Sequence, residues 1–158
     1  WIFEWLKKNF ILKTEANAQK INLPKKIYID RSDSSSNVKN MRKITNEDQI
    51  KEFLKQEGFE SVTLGNIDFK HQVQLFNNAE IIVGLHGAAF GSLCFCKSKT
   101  KVIELKNTTD GKIMENIAIN NDLIYRSIKC EAVKYKIAQL GHINVSIDLL
   151  KKVIQELS

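Results

Sequence analysis

The stretch Glu80-Ile81-Ile82-Val83-Gly84-Leu85-His86-Gly87-Ala88-Ala89-Phe90-Gly91 decides how the chain is read. Its first half is a short apolar run of the kind that forms a strand buried on both faces. Two glycines then bracket Leu85 and His86, and small residues able to begin a helix follow. A strand that breaks at glycine and turns into a helix points backbone N–H groups into one space. Those donors and the positive end of the helix dipole favour an anion such as a phosphate. His86 sits inside the turn, placed to add a further donor. The stretch therefore reads as the floor of a phosphate-recognising site.

Working outward, apolar and polar residues alternate in blocks of strand and helix length. Positions 26–31 read as a first strand and 60–64 as a second. The quoted stretch is a third, 101–105 a fourth and 123–128 a fifth. Between them, Thr45 followed by Asp48 resembles a capping box before a helix carrying Ile50, Phe53 and Leu54, with Gly58 placed to end it. Asp68 is placed to cap a helix carrying Val73, Phe76 and Ala79. A helix is expected from about 87 to 94, and a weaker one over 114–120. Ser146 is set before a last helix striped by Leu149, Leu150, Val153, Ile154 and Leu157. Ahead of the first strand, Ile2, Trp5, Leu6, Phe10 and Ile11 give 1–12 a helical stripe whose tryptophans are expected to pack on this domain or on a neighbouring one. The Ser-, Asp- and Asn-rich run 32–40 reads as a loop.

Strands alternating with helices imply crossover connections, hence an α/β fold with a mostly parallel sheet and helices on both faces. In such sheets ligands bind beyond the carboxyl ends of the strands. Arg31 falls at the carboxyl end of the first strand, Gly84 to Gly87 at that of the third and Glu104 near that of the fourth. Three polar features far apart in sequence are thus expected to face one crevice. Arg31 and Arg42 bracket the loop, and a pair of guanidinium forks matches a diphosphate. The competing reading pairs each with Asp30 or Glu47 at the surface. Glu104 interrupts an apolar strand, where an unpartnered carboxylate is costly. It is expected either to accept from sugar hydroxyls, as the acidic residue of dinucleotide sites does, or to pair with a nearby lysine.

Composition narrows the classes. At 158 residues the chain matches about one domain, and its +6 charge, 24 Lys and Arg against 18 Asp and Glu, is a moderate basic excess best read as a solvated surface. Basic residues mixed with aromatics near Trp5 form one amphipathic helix rather than a nucleic-acid footprint. Cys94, Cys96 and Cys130 are too few for a disulfide framework and are expected to be buried thiols. His71, His86 and His142 show no metal-ligand spacing. No apolar run reaches the length of a membrane span. The turn is neither the G-x-G-x-x-G fingerprint nor a P-loop, and no G-x-S-x-G elbow occurs, which argues against dehydrogenase, NTPase and α/β-hydrolase readings.

Several blocks, in order, carry a family resemblance: Tyr28-Ile29-Asp30-Arg31, Met41-Arg42-Lys43-Ile44-Thr45-Asn46-Glu47, Gly58-Phe59-Glu60, 72–79, Ile81-Ile82-Val83-Gly84-Leu85-His86-Gly87-Ala88 and Val102-Ile103-Glu104-Leu105. Together they resemble the donor domain of family 61 glycosyltransferases over 26–105, about half of the chain. The resemblance implies the carboxyl-terminal, Rossmann-like half of a GT-B fold. On it, 1–158 is a single nucleotide-sugar-binding domain from a longer two-domain enzyme, of the capsular polysaccharide biosynthesis type. It implies a nucleoside diphosphate sugar as donor, hexosyl or pentosyl transfer to a glycan held by a missing amino-terminal domain, and no bound metal or other cofactor. It also implies His86 in the catalytic role, with Arg31, Arg42, Asn46, Glu47, Gly84, Gly87, Ala88, Ala89 and Glu104 binding the donor. Ala89 stands where the family usually has glycine, and Phe90 where leucine is usual. Localisation stays open; a bacterial relative would be expected to be cytoplasmic or membrane-peripheral. The alternative is a non-catalytic Rossmann-like interaction or regulatory module, docking through its first helix.

Overall fold

The computed structural model describes residues 2–15, 22–32, 42–133 and 141–157. Five strands form one sheet: β1 (Lys26–Asp30), β2 (Glu60–Thr63), β3 (Ile81–Leu85), β4 (Lys101–Asn107) and β5 (Ile124–Cys130). Their order is β2-β1-β3-β4-β5, and every pairing is parallel. This is the Rossmann-like sheet expected from the alternation of elements.

The apolar runs of β1, β3 and β4 are buried on both faces, whereas the edge strands β2 and β5 are partly exposed. On one face Tyr28, Val83, Ile103, Leu105 and Ile128 pack with Ile50 and Leu54 of α2 (Glu47–Gln56) and with Leu150, Ile154 and Leu157 of a carboxyl-terminal helix, Ile147–Leu157. On the other, Ile27, Ile29, Ile82 and Val102 pack with Val73 and Phe76 of α3 (Phe69–Asn78), with Phe90 and Leu93, and with Met114 and Ala118 of α4 (Ile113–Asn120). The carboxyl-terminal helix is α5 in chain order. Outside α3 lies α1 (Ile2–Glu15), seated through Phe3, Leu6, Phe10 and Ile11. Phe10, Phe69 and Phe95 meet edge to face there, with centroids 5.4 to 6.1 Å apart. α1 thus packs within the domain, one of the two partners expected for it, and leaves Ile2 and Trp5 53% and 54% exposed. Trp1 lies outside the described residues, as do positions 33–40 of the expected loop. No helix among the described residues is long and apolar enough to cross a membrane.

Local signals held where they named the right atoms. Asp68 accepts from the His71 amide at 2.9 Å, and Ser146 from that of Leu149 at 3.3 Å. Gly58 has φ +83° just past α2. Its N–H reaches the Lys55 carbonyl and that of Phe59 reaches the Leu54 carbonyl, the paired bonds of a Schellman ending. Gly58→Ala should cost about 1 kcal/mol, because an L side chain resists this region; a urea midpoint unchanged from wild type would contradict that.

Two expectations are corrected. The Thr45–Asp48 capping box does not form: Asn46 is the N-cap of α2 and gives no side-chain cap. The Thr45 hydroxyl instead donates to the Ile143 carbonyl, and the Asn46 amide bonds both backbone groups of Val145. These bonds tie the start of α2 to β7 and the residues just after it, in an antiparallel pair of two-residue strands, β6 (Ala132–Val133) and β7 (His142–Ile143), which the periodicity did not predict. The helix expected over 87–94 is a 3₁₀ helix, Ala88–Phe95. Phe90, Leu93 and Cys96 stand three apart and are all fully buried, which a threefold helix achieves by stacking them on one side. In the last helix Leu149 leaves the expected stripe and is 43% exposed.

Candidate functional site

β1 and β3 are neighbours whose connections leave in opposite directions, β1 through α2 to the β2 edge and β3 through the 3₁₀ helix to β4. That divergence opens a crevice beyond their carboxyl ends, the place where such sheets bind ligands. A cleft of about 250 Å³ lies there. Arg31, Arg42 and Lys43 give it a cationic wall, and Tyr28, Glu47 and Leu85 complete it.

Arg31 follows the last residue of β1, and a Cβ built on Gly87 would stand 3.6 Å from its Nη1. The guanidinium therefore lies beside the glycine turn, where a side chain at position 87 would meet it. Arg42 is mostly buried and spans three segments. Its Nη1 donates to the His86 carbonyl at 3.2 Å, and its Nη2 pairs with Asp110 Oδ1 at 2.6 Å. Neither Asp30 nor Glu47 is its partner. Asp30 and Glu47 instead share Lys51, at 2.8 and 3.7 Å. Burial opposes ionisation of Asp30, but the hydrogen bonds from Lys51 and from the Ser32 amide outweigh it and hold the carboxyl below its usual range. Tyr28 donates to Glu47 Oε1 at 2.9 Å, and burial followed by the Glu47 charge pushes the phenol well above its ordinary range, so it stays a donor.

His86 is held at three points. Its N–H donates to the Leu105 carbonyl at 2.8 Å, its carbonyl accepts from Arg42, and its Nδ1 contacts Glu104 Oε1. Glu104 is fully buried, and its other oxygen takes the Tyr125 hydroxyl and, at 3.2 Å, Lys106 Nζ. Burial pushes this carboxyl up, but hydrogen bonds from His86 and Tyr125 and the Lys106 charge more than offset it, leaving the group below its usual range. Burial and the Glu104 bond also raise Tyr125, which remains a donor.

Of the residues singled out in the sequence, Arg31, Arg42 and Glu47 line one cleft, Gly87 lies beside the Arg31 guanidinium, and His86 is anchored by Arg42. Glu104 stands behind His86 with no exposed surface, so it reaches a ligand through that ring rather than by direct contact with a sugar hydroxyl. Gly84 is buried in β3; a Cβ there would come within 3.2 Å of Ile29 and of two Phe90 ring atoms, so its lack of a side chain makes room for packing. Ala88 and Ala89 open the 3₁₀ helix, the first exposed and the second partly buried. The Asn46 amide is committed to Val145. Cys94, Cys96 and Cys130 are buried thiols, as expected.

Sequence reasoning missed Tyr28, Lys51, Asp110 and Tyr125 as partners, whereas the expected pairing of Glu104 with a nearby lysine is met by Lys106. The lysine's signal was local: Lys106 lies two residues beyond Glu104 on the same strand, so the pleat puts both on one face. Among the described residues no group of three His, Cys, Asp or Glu side chains is placed to hold a metal ion.

The family model described as Glycosyltransferase 61 matches residues 2–103. The match takes in Arg31, Arg42, Glu47 and His86, and it reaches back to α1, ahead of the blocks that carried the resemblance. No curated protein matches the chain.

Proposed function

This chain belongs to the glycosyltransferase 61 family, and from that premise we propose that its crevice binds the nucleoside diphosphate of a sugar donor. The observation that carries the reading is the meeting of Arg31 with the His86–Gly87 turn at the point where β1 and β3 diverge. In glycosyl transfer the bond between the sugar's anomeric carbon and the diphosphate oxygen breaks, and the departing diphosphate takes the electron pair. Donors already aimed at that oxygen lower the barrier, since they need not reorganise as the charge develops. Arg31 and His86 fill that role, Arg42 and Lys43 add positive potential, and no metal is called for. Glu47, steadied by Tyr28 and Lys51, offers a carboxylate to the donor's hydroxyl groups.

On this reading the chain is the donor-binding, carboxyl-terminal half of a GT-B enzyme that transfers a hexosyl or pentosyl unit to a glycan, as in capsular polysaccharide synthesis. The acceptor, and the base that takes its hydroxyl proton, then belong to an amino-terminal domain.

Calorimetric titration with UDP, GDP, CDP and CMP tests the reading, repeated on Arg31→Ala and His86→Ala. One diphosphate should bind. Arg31→Ala should weaken it roughly tenfold to a hundredfold, the range for a charge-assisted hydrogen bond. Unchanged binding in Arg31→Ala would remove that residue from the site. Failure of every nucleotide to bind the folded protein would favour a non-catalytic module instead.

A further inference from the structure

We propose that Tyr125 and Lys106 are positioning residues for this site: together they hold Glu104 as an anion with one oxygen turned to His86, fixing the imidazole as its Nδ1–H tautomer and leaving Nε2 for the ligand. Only the last step, the ligand, rests on the donor-site reading.

The geometry is a division of labour between the two carboxylate oxygens. Oε2 takes the Tyr125 hydroxyl and the Lys106 ammonium, so Oε1 is left to the ring. Lys106 is itself fixed: its side chain is 4% exposed, and Nζ also donates to the Gly111 carbonyl at 2.6 Å. A fully buried carboxyl without donors picks up a proton, whereas one with two donors on a single oxygen stays ionised. An ionised carboxylate only accepts, so the imidazole nitrogen that faces it must carry hydrogen. The neutral ring then has its lone pair at Nε2, and a proton taken up there turns Nε2 into a cationic donor toward phosphate oxygen.

Sheet register explains why these residues meet. Glu104 and Lys106 share one face of β4, and Tyr125 pairs with Val102, two residues back along the same strand. The charged and titratable groups around His86 are Glu104 and Lys106 from β4, Tyr125 from β5, Arg42 before α2, Asp110 after β4, and Arg31 against Gly87. Glu104 contacts the ring at Nδ1. Tyr125 and Lys106 lie beyond the stretch that the family model matches.

Nitrogen-15 spectra of the protein read the tautomer directly, with the ring assigned through His86→Gln. Carbon-13 spectra read the Glu104 carboxyl, assigned through Glu104→Gln. In the wild type, neutral His86 should be the Nδ1–H form and Glu104 should titrate below the ordinary carboxylate range. Tyr125→Phe and Lys106→Met should each move the Glu104 midpoint up by about one unit, the size expected for loss of one charge-assisted bond, and Lys106→Arg should restore it. Wild-type His86 in the Nε2–H form, or a Glu104 midpoint unmoved in both variants, would overturn the proposal. Titration with UDP separates the two ideas. If the wild type ignores UDP while the spectra behave as described, the positioning role stands and the donor-site reading falls.

Discussion

Arg42→Met should destabilise the protein by about 3–5 kcal/mol, the usual cost of removing one partner from a buried ion pair. The substitution keeps most of the apolar stem, so what is lost is charge and hydrogen bonding. Asp110 is the reason for the size of the effect. Its side chain is 2% exposed, and with the guanidinium gone its main remaining compensation is the Asn107 amide at 2.9 Å. The His86 carbonyl loses a donor at the same time. Urea unfolding measures the loss, and Arg42→Met combined with Asp110→Asn should recover much of it, since the orphaned charge is then absent. A single-variant cost under about 1 kcal/mol would mean that the pair is solvated in solution, as exposed pairs are.

The second large effect lies beneath the crevice. Phe90 is fully buried, and its ring edge covers Gly84. Phe90→Ala should cost about 3–5 kcal/mol, transfer and cavity together. Gly84→Ala alone should cost about 1–3 kcal/mol, because its Cβ meets the Ile29 Cβ and the ring at 3.2 Å and both are packed. In the Phe90→Ala background that methyl has room, so the two costs should fall well short of adding. Additive costs in a double-mutant cycle would show that Gly84 is required for something other than the ring. Phe90 thus ties the glycine within β3 to packing.

How much was legible beforehand follows from the range of each interaction. The central strands were readable because burial on two faces leaves runs such as Ile81-Ile82-Val83, and the parallel arrangement because helices separate the strands. Asp68, Gly58 and Ser146 were readable because capping is local, settled within a few residues. Thr45 misled for the opposite reason. Its hydroxyl had a partner 98 residues away, and nothing near it in sequence announced that. The site divides the same way. Arg31 and Gly87 were located by the rule about strand ends, which needs only topology. Asp110 as the partner of Arg42, and Tyr125 as that of Glu104, depend on which side chains meet across the sheet and its loops. Glu104 was seen to need a partner, and its lysine was visible through the two-residue pleat, but the pattern carried no sign that the carboxylate would sit behind His86.

The placement of the crevice between β1 and β3 also bears on how the chain acquires it. Ile27 pairs with Ile82, a separation of 55 residues, whereas Ile82 and Val102 are 20 apart and Lys101 and Ile124 are 23 apart. Chain entropy must be surrendered before a distant pair gives anything back, and contacts of long sequence separation slow folding. The β3–β4–β5 unit has the shorter loops to close. Docking of β1 onto β3 is the costliest joining step in the sheet, and it is the step that brings Arg31 to the glycine turn. Binding competence therefore arrives with the most entropically expensive contact of the sheet rather than before it.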